Sequence, residues 1–249
     1  MLFNVAADIA KLSLFIVCAY VLLGAYARRR RPQWTEHLTE RRVAVLGILT
    51  LAVGGIKLIE DVVAKESGPV DKAMLWFVRD HVPAAMNGFF AVVTLSGSAT
   101  FLAPVAVAAA VALLVARRRF EAVLVGASLT TATLVVWVMK AIVGRARPEL
   151  WDSQWTWGSS FPSGHTLSTA ALSTAAALCV ARIWPRTAIP AMALAVLWTG
   201  LVAVSRLVLG VHWPSDVLAA MCLGAFIALL FSVAYDLHRQ SPVSGDRSV

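Results

Sequence analysis

The sequence predicts an all-α fold: a polytopic transmembrane helical bundle of six to seven spans, with one short amphipathic helix at the interface. Two observations predict it. Of the 249 residues, 59% are hydrophobic and only 14% are charged, against about 25% charged in a typical soluble domain. The charges also fall in short clusters separated by long uncharged runs, most of them near the roughly 20 residues a helix needs to cross a bilayer. The net charge of +8 would suit a nucleic acid, but clusters of Lys and Arg between apolar runs are the mark of membrane topology. The expected partner is therefore the lipid bilayer, with no nucleic acid, and residues 1–249 read as a single membrane-embedded domain.

The elements follow in order. Residues 12–27 carry no charge and end at Arg28, Arg29, Arg30 and Arg31. A secretory signal would have its basic cluster first, so this reads as a retained helix with its N-terminus outside the cytoplasm. Residues 1–42 thus form an extra N-terminal span and a basic cytoplasmic loop, ahead of a core bundle over 43–236. Residues 43–63 form the second span. Lys57, Glu60 and Asp61 at its outer end are read as snorkelling and pairing with one another. Residues 64–85 are polar and broken by Pro69 and Pro83. Trp76, Phe77 and Arg79 suggest a short amphipathic helix on the outer surface, and His81 is read as structural or solvated. No charge occurs over residues 82–116; the span is assigned to 90–116, with 82–88 as an interfacial turn.

Arg117, Arg118 and Arg119 mark a cytoplasmic loop, and residues 122–139 return to the outer side at Lys140. The loop over 141–162 contains Trp151, Trp155 and Trp157, read as an aromatic interface belt, with a lid over a lipid head group as the alternative. Spans over 164–181, 187–205 and 217–235 complete the bundle. The second of them delivers Arg206 to the outer side, and residues 237–249 read as a disordered tail. Cys18, Cys179 and Cys222 each lie in an apolar run and read as small buried hydrophobes, without disulfide or zinc spacing. On this topology the cytoplasmic segments carry 13 of the 22 basic residues, in keeping with the positive-inside rule.

Three stretches carry chemistry, and the topology puts all of them on one face of the membrane. Residues 205–216 read SRLVLGVHWPSD. Pro214 fits the first turn of a helix, which brings Asp216 within reach of His212. A carboxylate on one ring nitrogen fixes the tautomer and leaves the other nitrogen to act. Arg206 suits a phosphate or carboxylate, which it can grip with two N–H groups. Residues 140–148 read KAIVGRARP. Lys140 and Arg147, seven apart, could share a helix face, although Gly144 loosens the helix and Pro148 disfavours helical geometry at Arg147. Residues 161–165 read FPSGH. Ser163 is a candidate N-cap, Gly164 admits close approach of the backbone, and the amides of a helix start form an anion site.

Together these stretches resemble, in order and without substitution, the three-part signature of the type 2 phosphatidic acid phosphatase superfamily. That signature is a Lys, six residues and Arg-Pro; then Pro-Ser-Gly-His; then Ser-Arg, five residues, His, three residues and Asp. The resemblance implies the membrane-bound lipid phosphatase branch. Six spans are typical of that branch, which makes residues 12–27 the addition. It implies His212 as nucleophile, His165 as general acid and then base, and Asp216 as the group that orients His212. Lys140, Arg147, Ser163, Gly164 and Arg206 would bind the phosphate, with no metal and no cofactor. The implied substrate is a membrane lipid phosphate or diphosphate of the phosphatidic acid, phosphatidylglycerophosphate or undecaprenyl diphosphate class. The implied location is the bacterial cytoplasmic membrane, with the site facing outward. Three alternatives stay open: a lipid-linked phosphotransferase using the same residues, a vanadate-dependent haloperoxidase, whose known forms are soluble, and a non-catalytic lipid-binding protein.

Overall fold

The computed structural model describes residues 2–31, 33–151 and 158–239. Within them the secondary structure is helical: α1 Leu2–Arg30, α2 Gln33–Glu40, α3 Arg42–Val63, α4 Gly68–His81, α5 Asn87–Leu95, α6 Ala99–Val115, α7 Arg119–Val143, α8 Gly164–Ile183, α9 Ala188–Val208 and α10 Pro214–Arg239. Six of these helices are long and apolar enough to cross a membrane; α5 and α6 together make a seventh candidate, bent by 42° at their junction. Side chains on the outside of the bundle are apolar and bare, Trp137 and Ile189 among them, as lipid requires. Trp155, Trp157 and residues 240–249 lie outside the described residues. Residues 237–239, expected in the tail, extend α10.

Helix α8 sits at the centre, packed against α7, α9 and α10. Its spanning window is 61% buried, against 6% for the first span. The cause is composition: Ala170, Ala171, Ser173, Thr174 and Ala175 are all buried, and small residues let helix backbones approach closely where lipid removes the hydrophobic drive. The tightest approach is at Gly224 of α10, where an added Cβ would lie 2.4 Å from the Leu167 carbonyl oxygen and 2.6 Å from Ala170 Cβ. Helix α1 is peripheral and touches the bundle through α3. Cys18, expected to be buried, is therefore exposed, while Cys179 is buried and Cys222 half-buried. Lys57 pairs with Asp61 at 2.8 Å and Glu60 at 3.4 Å, as their spacing suggested.

Contacts define the two ends of the bundle. At one end Asp236 accepts from both Arg41 (2.6 Å) and Arg182 (2.8 Å), and Phe120 stacks on Tyr235. This joins the starts of α3 and α7 to the ends of α8 and α10. All three motif stretches gather at the other end. The expected single span over 90–116 is instead two helices. Ser96 Oγ turns back to the Val93 carbonyl oxygen at 2.7 Å, and Ser98 accepts from the Phe101 amide to cap α6. A Cβ on Gly97, between them, would lie 2.7 Å from Val202 and 3.3 Å from His165, so the break brings the chain against the motif end.

The Gly224 contact generates a stability prediction. Gly224→Ala forces a methyl group into the Leu167 carbonyl oxygen. Overpacking of this kind costs about 1–3 kcal/mol, to be read as a lower Tm of the purified protein in detergent. An unchanged Tm would mean that α8 and α10 are not so closely packed.

Candidate active site

Helix α7 ends because Gly144 adopts a left-handed φ of 58° as its C-cap, a conformation glycine enters without a Cβ penalty. The chain then leaves the helix before Arg147. Lys140 and Arg147 therefore do not share a helix face: Lys140 sits in the last turn and Arg147 in the loop beyond. Arg147 Nη1 donates to the Val211 carbonyl oxygen at 2.7 Å and lies 3.5 Å from His212 Nε2. Its Nε donates to the Gly158 carbonyl oxygen. From the last turn of α9, Arg206 donates to Thr94 Oγ1 of α5 at 2.6 Å. Its Nε is buried with no hydrogen-bond partner. His165, in the first turn of α8, lies within electrostatic range of Arg206, His212, Lys140 and Arg147. Lys140, Arg147, Arg206, His165 and His212, drawn from three helix ends and two loops, thus converge.

Ser163 occupies the N-cap position of α8, but its hydroxyl makes no cap bond; it pairs with Thr166 Oγ1 at 3.0 Å. The first intrahelical amide is that of Leu167, bonded to the Ser163 carbonyl oxygen. The amides of Gly164, His165 and Thr166 thus precede the ladder and have no acceptor within it.

His212 is 2% exposed and Asp216 is fully buried. Nδ1 of His212 stands 3.4 Å from Asp216 Oδ2, long for a hydrogen bond. Asp216 is itself held on both oxygens. Oδ2 accepts from Ser160 Oγ (2.7 Å) and the Trp213 amide (2.9 Å), and Oδ1 accepts from Arg145 Nη1 (2.6 Å). Sequence reasoning placed Asp216 beside His212 but missed Arg145, Ser160, Thr94 and Asp71, which the structure brings to the same cluster. Arg145 Nη2 donates to Asp71 Oδ2 at 2.6 Å, and Ser215 donates to Asp71 through both its amide and its hydroxyl. The available signal was Asp71 itself, one carboxylate on a helix read as interfacial.

Trp151 contacts α4: it lies 5.5 Å from Trp76 and under the Arg79 guanidinium at 5.1 Å. His81, also on α4, is exposed and contacts Phe77 and its carbonyl oxygen. Among the described residues, no three His, Cys, Asp or Glu side chains are grouped so that they could hold a metal ion.

Burial drives the His212 pKa from 6.5 down to about 4. Arg206 and Arg147 push the same way, and Asp216 opposes them. The unfolded imidazole binds its proton near 6.5, so this group's contribution to stability is complete above that pH and is lost as the pH falls towards 4. In 15N-histidine NMR spectra, assigned by comparison with His212→Gln, His212 is expected to stay neutral at pH 5.5. A solvated imidazole would be about 90% protonated there. Protonation of His212 with a midpoint near 6.5 would contradict the buried geometry.

The PAP2 superfamily model matches residues 121–239. Lipid A 1-phosphatase of Rhizobium etli is 32% identical over 108 residues, 39% of this chain and 43% of that protein. Decaprenylphosphoryl-5-phosphoribose phosphatase of Mycolicibacterium smegmatis is 43% identical over 117 residues, 45% of this chain and 59% of that protein. The chain thus spans less than two thirds of the length of these relatives. A transmembrane PAP2 type phosphatidylglycerolphosphate phosphatase from Bacillus subtilis has the same fold, with a TM-score of 0.69 at 23% identity over 79% of this chain and 98% of that one. Through residues 121–239, which include all three motif stretches, the chain is similar to the PAP2 superfamily.

Proposed function

We propose that the protein is an integral-membrane phosphatase that hydrolyses a lipid phosphate or diphosphate through a phosphohistidine on His212. The observation that carries this reading is the convergence of Lys140, Arg147 and Arg206 on two histidines at one end of an apolar bundle. Phosphoryl transfer spreads charge over three equatorial oxygens, and its catalysis is mostly positioning and charge stabilisation. Three cations and the start of α8 supply both. An equatorial oxygen would also satisfy Arg206 Nε, which is buried without a partner.

The chemistry divides into two steps. In the first, the Nε2 lone pair of His212 attacks phosphorus and the bond to the leaving oxygen breaks. His165, carrying a proton that the negative charge of the bound phosphate would favour, donates it to that oxygen and becomes neutral, and Asp216 stabilises the Nδ1–H side of the ring. In the second, neutral His165 takes a proton from water, the water oxygen attacks phosphorus, and the N–P bond breaks to release phosphate and free His212. Neutral His212 at ordinary pH suits the nucleophile, since a protonated imidazole has no lone pair to offer.

Placement supports the substrate class: the site lies at the end of a bundle whose flanks are apolar, where lipid head groups would sit. The named relatives are phosphatases of lipid A and of a decaprenylphosphoryl sugar phosphate, which supports a membrane lipid without choosing one. The distribution of basic residues supports an outward-facing site in a bacterial cytoplasmic membrane.

Two experiments test this reading. The first measures phosphate release by the purified protein, in EDTA, from a panel of lipid phosphates and diphosphates. His212→Ala should abolish turnover on every substrate. His165→Ala should lose about 10²–10⁴-fold on a lipid monophosphate, less in the first step on an aryl phosphate whose leaving group needs no proton, and should accumulate acid-labile label at His212. Label on His165, or turnover by His212→Ala, would reverse the roles. The second tests sidedness. A cysteine placed at Lys65 in a background lacking the native cysteines should react with an impermeant thiol reagent in intact cells, and one placed at Thr39 only after permeabilisation. The reverse pattern would invert the topology.

A further inference from the structure

We propose that Arg145 and Asp71 are positioning residues, and that α4 holds the carboxylate of Asp216 in place through them. The inference rests on the reading of His212 as nucleophile and Asp216 as its orienter. The geometry is a fork. Arg145 Nη1 serves Asp216 Oδ1 and Nη2 serves Asp71 Oδ2, each at 2.6 Å. Nη1 also reaches Ser215 Oγ at 2.7 Å, and Nη2 reaches Ser67 Oγ at 3.1 Å. The guanidinium carbon lies over the Trp213 ring, 5.6 Å from its centroid, next to His212. Asp71 is 2% exposed, and the Ser215 amide and hydroxyl close its remaining contacts. Two carboxylates from segments far apart in sequence are thus tied by one planar cation, an arrangement that lysine, a single point charge, cannot reproduce.

The fork decides where Asp216 points. Its Oδ2 is fixed by Ser160 and the Trp213 amide, on the side that meets His212. Among the described residues, Arg145 is the donor recorded to Oδ1. Without Arg145, that oxygen is buried without a recorded donor. The carboxylate can recover only by rotating or by taking a proton, and either change alters what His212 Nδ1 meets. Helix α4 is built to hold the far end of the fork. Val70, Met74 and Phe77 form an exposed apolar stripe at helical spacing, while Asp71, Leu75 and Val78 form the adjacent stripe, with Asp71 and Leu75 buried. Leu75 and Val78 pack on Ala203, Leu207 and Val217, at the ends of α9 and α10.

The test uses the full chain, purified in detergent and labelled with 15N-histidine, as wild type, Asp71→Asn, Arg145→Lys, Arg145→Gln and the double Asp71→Asn/Arg145→Gln. Loss of the partner that orients a metal-ligating side chain typically costs about 10–100-fold, and a loss of the same order is expected for a partner that orients Asp216. Arg145→Gln is expected to lower kcat in that range with KM changed less than about threefold. Asp71→Asn is expected to lower it less, and Arg145→Lys to fall between wild type and Arg145→Gln. The double variant should be no worse than Arg145→Gln alone, because the two residues act as one unit. The spectrum of His212 should move from a single Nδ1–H tautomer to a mixture. A role confined to fastening α4 would lower Tm and leave the tautomer and the kcat of the folded fraction unchanged. That result overturns the proposal. If Arg145→Gln fails to fold, the near-isosteric Asp71→Asn and the charge-conserving Arg145→Lys decide it by the same readouts. If wild type releases no phosphate from any lipid, the phosphatase reading fails by itself, and the tautomer alone decides whether the fork orients His212.

Discussion

A carboxylate with no exposure to water, at the end of an apolar bundle, is the constraint on which the motif end depends. Asp216 lies on the first turn of a helix whose remainder faces lipid and packed helices. An uncompensated charge there would cost several kcal/mol, so both oxygens have donors, drawn from the two ends of the loop joining α7 to α8 and from the turn before α10. Ser160 comes from the loop before α8, Trp213 from the turn before α10, and Arg145 from the loop after α7. The backbone repeats the pattern: the Ser163 amide reaches the Asp216 carbonyl oxygen, and the Ser160 amide reaches that of Arg145. The three motif stretches are therefore held to one another before any substrate is considered.

The bundle is what lets those contacts form. Helices whose outward faces are as apolar as the lipid gain nothing from burial against each other, so close packing has to come from small residues. Helix α8 supplies them along most of its length, and the glycine in α10 lets the two backbones nearly touch. The start of α8, with His165, is thereby fixed relative to the start of α10, with Asp216. Such a site needs its reacting groups held to within a fraction of an ångström. Here the rigidity comes from helix packing, and the loops have only short distances to span.

Much of this was legible in the sequence, for local reasons. Uncharged runs bounded by charge clusters located most of the long helices to within a few residues, because the bilayer imposes length and composition directly; α1, which begins at Leu2, and the broken run over 90–116 are the exceptions. Pro214, Gly144 and the Pro-Ser-Gly-His stretch marked helix ends, because turn chemistry is local. What was not legible depends on pairing at long range. Arg145 sits two residues from the motif arginine, and nothing in its neighbourhood says that it meets Asp71 and Asp216, 74 and 71 residues away. Thr94 looks like any threonine in an apolar run until the break at Ser96 to Ser98 turns it towards Arg206. The uncharged stretch hid that break because serine and glycine carry no charge to interrupt the run. Cys18 was misread for a related reason. An apolar neighbourhood means burial in protein or in lipid, and periodicity does not distinguish the two when the helix has few neighbours.

The two nitrogens of His212 stand in opposite fields, and this gives the arrangement its chemical direction. On the Nδ1 side is a carboxylate pinned on both oxygens; on the Nε2 side, 3.5 Å away, is Arg147, with Arg206 near enough to act on the ring. A carboxylate favours a proton on the nitrogen that faces it, and a guanidinium disfavours one. Both fields therefore select the same tautomer, with the Nε2 lone pair turned towards the cations. A lone pair among cations is poorly placed to take up a proton and well placed to meet an anion. The cations that keep the ring neutral are also those that would draw a phosphoryl group to it, so under the proposed mechanism one charge distribution would both prepare the nucleophile and attract its target. That economy holds only while Asp216 remains ionised and correctly turned, which returns the burden to its donors, the fork of Arg145 among them.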